Sequence, residues 1–375
     1  MKLFIPIGSF YPDTSGGPSL SLYWLAKALT KHGVSITVLT TDRGITPDIQ
    51  PNKWQDTDFG RVQYVRTLKN DLPFTLLLKA IGQIRKQDTI YLTSFFYPLS
   101  FLLAWYIVWF TSKKIIWGPR GEASPQALQF SSKRKQVVLA LIRRLKHRIV
   151  FHATSAAEVE DIKQLLGDCE VVYIPNGVEL SEPVTSTAHT NLLFLGRIHP
   201  IKGIDRLVSA LSLSKHFSTS SHKLLIAGYA QQGYDQVLKQ QIKDLNLEAK
   251  VEFIGKVNSP KKEQVLASSY CLILPSLSEN FGVVIAEALI QGTPCIASKG
   301  TPWEELENYQ AGMHVSNDPQ SLAQAIDSLL EQPPVLYNDM RQNAHRLAEQ
   351  VLDIQNYIPD WHKLLRKSYD LLHSL

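Results

Sequence analysis

Four charged residues in the second half of the chain have the types and spacing to hold a phosphorylated sugar: Arg197, Lys202, Glu279 and Glu287. The two glutamates stand eight residues apart in Ser278-Glu279-Asn280-Phe281-Gly282-Val283-Val284-Ile285-Ala286-Glu287, after the β-branched run Tyr270 to Leu274 closed by Pro275. A strand, a loop and a helix in that order put Glu279 in the loop and Glu287 a turn or so into the helix. Gly282 lacks a Cβ, so the backbone can approach a ligand closely. The amides from Val283 onward open a helix, where an anion such as phosphate is favoured. A phosphate in the middle and hydroxyls at both ends is the shape of a nucleotide sugar. The same residues also fit an ordinary helix with an acidic start and an apolar face, so their partners must decide.

Those partners precede them. After a strand at Leu192 to Leu195 comes Gly196-Arg197-Ile198-His199-Pro200-Ile201-Lys202-Gly203, then a helix. Arg197 and Lys202 flank this loop, suited to pairing with two phosphates beside a helix N-terminus. Strands at 223–227, 251–254, 270–274 and Thr293 to Ala297 alternate with helices, which predicts a doubly wound sheet. Gly228, Gly255 and Pro275 mark carboxyl ends of strands, where such sheets bind ligands. Helices at about 319–330, 337–350 and 354–373 finish the chain.

The first half repeats the same alternation. A strand at 2–7, the turn-rich loop Tyr11 to Pro18, a helix over Leu20 to Leu29 and a strand at Val34 to Thr40 start a second doubly wound sheet. Gly16-Gly17 lacks the spacing of a dinucleotide fingerprint and offers either a close backbone approach to a ligand or a flexible turn. A strand at 61–66, a helix at about 72–86 and a strand at 88–93 follow. Asp56-Thr57-Asp58 has the composition of a metal-binding pair but reads as a solvated connection before a strand. Thr89 to Ser112 runs 24 residues without a charge. Its first part is a strand end and Pro98 starts a new element, leaving a helix at 99–112 of about 21 Å, short of a bilayer core of roughly 30 Å. A buried or partly membrane-facing helix is expected. The strand Ile115 to Trp117 leads to Gly118-Pro119-Arg120-Gly121-Glu122. Segment 131–148 holds seven Lys and Arg and no acid, with Val137, Val138, Leu141, Ile142 and Leu145 at helical spacing. Such a helix suits an anionic membrane surface or is an ordinary solvated face, and no nucleic-acid module accompanies the charge. A strand at 149–153, a helix at 155–166 and the strand and turn Val171 to Val178 close this half. Ser181 to Thr190 is the linker.

Bulk properties agree. A chain of 375 residues with 44% hydrophobic and 19% charged residues is an ordinary globular protein of two domains. Residues 1–180 carry 22 Lys and Arg against 14 Asp and Glu; residues 181–375 carry 17 against 20. The basic first half favours an anionic surface or substrate. Cys169, Cys271 and Cys295 form neither a disulfide framework nor a metal pattern, and the first apolar run is too short for a signal peptide. A reducing cytoplasm is the expected compartment.

Gly196-Arg197 with Lys202-Gly203, Glu279 with Glu287, Ser15-Gly16-Gly17 and Ile174-Pro175-Asn176-Gly177-Val178 together resemble family 4 of the retaining glycosyltransferases. The resemblance covers most of the chain. It implies an α/β protein of the GT-B architecture, two Rossmann-like doubly wound domains facing across a cleft: residues 1–180 for the acceptor, with 354–375 packing back on them, and 190–353 for the nucleotide sugar. It implies that Arg197 and Lys202 neutralise the donor diphosphate in place of a metal, that Glu287 accepts ribose hydroxyls, and that Glu279 holds the donor sugar. Asn280 and the amides from Phe281 through Gly282 to Val283 would face the sugar or distal phosphate. Gly16 and Gly17 would close over the donor, and Lys256 would contact the base. No cofactor is implied, and a UDP-sugar fits better than a GDP-sugar. Many members carry a histidine after the fifth strand of the first domain; here Pro119-Arg120-Gly121-Glu122 takes that place, making Arg120 and Glu122 the candidates for sugar or acceptor contact. His152 lies within a strand and reads as a core residue. No carboxylate stands convincingly as a covalent nucleophile, which favours front-face attack. The acceptor expected is a lipid-linked saccharide of surface polysaccharide assembly, met at the inner membrane face. A sugar-nucleotide epimerase and a non-catalytic sugar-nucleotide-binding partner are the alternatives.

Overall fold

A computed structural model describes residues 1–13, 17–45, 49–67, 74–128, 133–186, 189–231 and 233–367. The chain divides into two compact units, Met1–Glu179 together with Ile354–Leu375, and Leu180–Asp353. Each is a sheet with helices wound on both faces.

Among the described residues, the first sheet has eight strands: β1 (Lys2–Pro6), β2 (Ser35–Thr41), β3 (Trp54–Thr57), β4 (Gly60–Val65), β5 (Thr89–Thr93), β6 (Lys114–Gly118), β7 (Val150–Ala153) and β8 (Glu170–Tyr173), in the order β3-β4-β2-β1-β5-β6-β7-β8. All neighbouring pairs are parallel except β3 with β4. Every residue of β5 and β6 is buried, as a parallel strand covered on both faces must be. Asp56 and Thr57 belong to an antiparallel edge strand, paired with Arg61 and Gly60, and Asp58 to the turn after it; both aspartates are exposed, as expected, but the first is in a strand rather than a connection. With four residues, three of them polar, that strand shows no apolar run.

The second sheet has six described strands: β9 (Asn191–Leu195), β10 (Leu224–Ala227), β11 (Val251–Gly255), β12 (Ser269–Leu274), β13 (Cys295–Ser298) and β14 (Gly312–Val315), in the order β11-β10-β9-β12-β13-β14, all parallel. The strand expected over 293–297 begins at Cys295, because the chain is still turning at Gly292, whose φ is +63°.

Helices start where side chains satisfy their free amides. The Ser155 hydroxyl accepts from Glu158 N ahead of the helix Ala156–Leu166, and Asp318 accepts from Ser321 N ahead of Pro319–Leu330. The basic helix spans Lys133–Leu145 and buries Leu139, Ile142 and Leu145; Val137, placed on the apolar side by spacing, is 58% exposed. The uncharged helix is Pro98–Phe110. The final element is a 3-10 turn, Ile354–Tyr357, followed by the helix Ile358–Arg366, rather than one continuous helix. Residues 368–373 of that expectation, like 131–132, 72–73 and Gly16, lie outside the described residues. Ile354, Ile358, Trp361, Leu364 and Leu365 join Leu3, Ile5, Leu25 and Val38 in one core of the first unit. Lys114 fastens this segment by donating to the carbonyl oxygens of Leu364 and Lys367.

Candidate functional site

In the second sheet the strand order reverses between β9 and β12, so the loops leaving their carboxyl ends diverge and leave a crevice between them. The β9 loop carries Arg197 and Lys202, and the β12 loop carries Glu279. Leu277 N donates to Ile201 O at 2.8 Å, stitching the two loops together. Gly203 makes that approach possible: at φ +64° a Cβ there would lie 2.3 Å from Pro275 O.

Lys202 and Glu279 form a largely buried ion pair, and Ser276 Oγ donates to the same carboxylate oxygen at 2.7 Å. Arg197 reaches Gln231 Oε1 at 3.4 Å and makes no ion pair among the described residues. Gly282 caps the helix Val283–Ile290, and Trp303 Nε1 donates to Phe281 O while its ring packs 5.3 Å from that of Phe281. Glu287, one turn into the helix, accepts from Lys262 Nζ at 2.6 Å. Burial raises the pKa of Glu287, and Lys262 opposes that shift. Lys256 is exposed beyond β11, an edge strand separated from β9 by β10.

The first sheet reverses between β1 and β5, and a pocket of about 430 Å³ opens at that point. Its wall includes Gly8 after β1, Thr41 at the end of β2, Thr93 at the end of β5 and Ser94 after it, and Pro119, Arg120 and Glu122 after β6. The helix Gly17–Lys31 adds Pro18 and Ser19. Glu122 is spent internally: Ser94 Oγ donates to Oε1 at 2.7 Å, and Phe95 N and Phe96 N donate to Oε2 at 2.6 and 3.2 Å. It therefore fixes the loop that enters the helix Pro98–Phe110, and burial raises its pKa.

Arg120 is 8% exposed and sits at φ +57°, a conformation that non-glycine residues seldom adopt. Its Nη1 donates to Asn176 Oδ1 and its Nη2 to the Tyr91 hydroxyl at 2.7 Å. The protons behind Tyr91 can be placed. His152 is buried, and burial together with the Arg120 charge pulls its pKa down to about 3, so the ring is neutral. Its Nε2 faces Ile174 O at 2.8 Å, and a carbonyl only accepts, so Nε2 carries the proton. Nδ1 then accepts from the Tyr91 hydroxyl at 2.7 Å. The Trp361 ring packs 4.8 Å from that of His152.

Two family models match the chain in tandem: Glycosyltransferase Family 4 over residues 15–182 and Glycosyl transferases group 1 over residues 180–347. The chain belongs to glycosyltransferase family 4. Among similar proteins, the chain is 27% identical over 194 residues to the O-antigen chain mannosyltransferase RfbU of Salmonella typhimurium, covering 52% of this chain and 53% of that one. The chain spans about half the length, or less, of the curated relatives it matches. Solved structures match over nearly the whole chain. Sucrose-phosphate synthase from Thermosynechococcus elongatus superposes with a TM-score of 0.80 at 18% identity, covering 97% of this chain and 98% of that one. Anabaena HepE in complex with UDP-glucose gives 0.77 at 22%, covering 97% and 99%. At these identities the likeness establishes the GT-B fold alone.

Within family 4, then, this chain brings Arg197, Lys202 and Glu279 onto stitched loops and sets Glu287 on the adjoining helix. Lys202 and Glu279, read from the sequence as having separate tasks, are each other's partner. Lys262, Trp303 and Tyr91 escaped the sequence reading, and Asn176 was read only as part of a turn. Lys262 sits in Lys261-Lys262-Glu263, which looks like a solvated charge run until the fold lays its helix beside that of Glu287. Trp303 gives no periodic signal. Tyr91 and Asn176 lie on a strand and a turn, and only tertiary structure joins them to Arg120.

Proposed function

We propose that the chain is a retaining, metal-independent glycosyltransferase. It moves a sugar from a nucleoside-diphosphate donor, UDP rather than GDP, to a hydroxyl of a lipid-linked saccharide in surface polysaccharide assembly. The observation that carries this reading is the Lys202–Glu279 pair beside Arg197 at the switch point of the second sheet. In glycosyl transfer, negative charge develops on the departing diphosphate, and fixed cations and helix amides lower that barrier most. Arg197, Lys202 and the helix opening at Val283 supply them. On donor binding the ion pair opens, Lys202 turning to phosphate and Glu279 accepting sugar hydroxyls. Glu287 takes ribose hydroxyls, and the pocket of the first unit takes the acceptor. The UDP-glucose complex of HepE and the mannosyltransferase relative support the choice of donor class and pathway.

The site of action we assign is the cytoplasmic face of the membrane. Among the described residues no helix is long and apolar enough to cross a bilayer. The helix Pro98–Phe110 nevertheless exposes Trp105, Trp109 and Phe110, and it packs beside the basic helix Lys133–Leu145. Aromatic side chains next to cations suit an anionic lipid surface.

A panel of nucleotide sugars scored by nucleotide release tests the donor assignment. Lys202→Ala is expected to lower transfer by about 100-fold or more, with circular dichroism at the assay temperature checking that the chain remains folded once Glu279 loses its buried partner. Wild-type turnover in this variant would remove Lys202 from the site. Epimerisation of a donor offered without acceptor would overturn the transferase reading.

A further inference from the structure

We infer that the pocket of the first unit is built for an anionic acceptor, a sugar bearing a phosphate or carboxylate, with Arg120 and Arg43 as its cations. The inference rests on the assignment of this unit to the acceptor. Arg120 is nine-tenths buried, and a buried guanidinium without a counter-charge is strongly unfavourable. Its two bonded partners, Tyr91 and Asn176, are both neutral, and its Nε has no hydrogen-bond partner. Among the described residues no carboxylate forms an ion pair with it.

The acids nearby are engaged elsewhere. Glu158 accepts from Gly121 N at 2.6 Å and from Thr154 N and Oγ1 at 2.7 and 2.8 Å. Asp42 accepts from Thr67 N and Oγ1, and Asp13 from Ser9 Oγ. Glu122, the acid among the lining residues, is held by three donors. Arg43 stands exposed on the same wall. The helix Gly17–Lys31 begins there with no acid in its first turn, which adds the positive end of its dipole. The hydroxyls of Ser9, Thr41, Thr93 and Tyr97 on the wall suit those of a saccharide, and the volume suits a sugar phosphate. An anion here would supply the counter-charge that the fold leaves out for a buried cation oriented from behind by Tyr91, His152 and Asn176.

Calorimetric titration of the full chain tests this, with UDP present at saturation so that the cations of the second unit are occupied. The probes are glucose, glucose 6-phosphate, glucuronate and geranyl diphosphate, which separate a sugar-borne from a lipid-borne anion. At least one anionic probe should bind tenfold or more tighter than glucose. Arg43→Gln and Arg120→Lys should each weaken that probe by about tenfold without changing UDP affinity. Arg43 is on the exposed rim, so its variant keeps the test valid if Arg120→Lys fails to fold. Anionic probes that bind no better than glucose, or keep their affinity in the Arg43 variant, would overturn the inference. A UDP titration alone fails if the donor assignment is wrong, whereas anion binding that survives that failure still supports the site.

Discussion

At the residue scale, both units hold their buried charges in pairs or hydrogen-bonded networks. Glu287 and Lys262 are largely buried together, so removing one leaves the other uncompensated. A double-mutant cycle on Glu287→Gln and Lys262→Met, followed by donor binding, should show coupling of about 1 kcal/mol or more; additive effects would deny the pair a shared role. His152 gives a pH signature. Its pKa is depressed in the folded state to about 3 from about 6.5, so between those values the unfolded chain binds the extra proton. Stability from this group is complete above about pH 6.5 and is lost as pH falls through the window, at up to about 1.4 kcal/mol per pH unit. His152→Asn should flatten that limb in urea unfolding of the first unit; an unchanged slope would contradict a neutral buried ring. The charged residues proposed for the donor were legible in the sequence because their loops are short and each follows an apolar strand. Lys262 and Tyr91 were not, because their partners are 25 and 29 residues away and meet them only through packing.

At the element scale, reversal of strand order fixes where chemistry can be placed, and it was legible only in part. Alternating apolar and amphipathic segments revealed strands and helices, whereas β3 and β14 escaped. Each is four residues long and incompletely buried, so neither shows a full apolar run. The loop junction at Gly203 makes a strict demand. Gly203→Ala sets a methyl against Pro275 O, whereas Gly233→Ala, at a similar φ of +72°, meets nothing within 4 Å. Both carry the left-handed cost of about 1 kcal/mol, and Gly203→Ala should lose roughly 2 kcal/mol more along with donor binding. Equal melting temperatures for the two would show that the loops are not in register. On the helix Pro98–Phe110, Trp105→Ala with Trp109→Ala should reduce co-sedimentation with phosphatidylglycerol vesicles severalfold and leave the fold intact, since both side chains are exposed. Undiminished sedimentation would rule out that face as the contact.

At the scale of the whole molecule, the basic first half and the slightly acidic second half match a chain whose two units handle different ligands. The first unit is assembled from both ends of the sequence, and Gly177 packs directly on Ile354, with Ile354 N donating to Val178 O at 3.0 Å. Truncation after Asp353 removes Trp361 from its place beside Tyr91 and His152. Loss of that one aromatic from a core costs about 3–5 kcal/mol. The truncated chain should therefore melt in two steps, with the transition of the first unit lowered and that of Leu180–Asp353 retained; a single unshifted transition would refute this. The same discontinuity orders events on the ribosome. The first unit emerges early but must wait, with an open seam beside β1 and β7, while nearly two hundred further residues are made. Leu180–Asp353 can close its core in the meantime, so a segment translated after that unit completes the one translated before it.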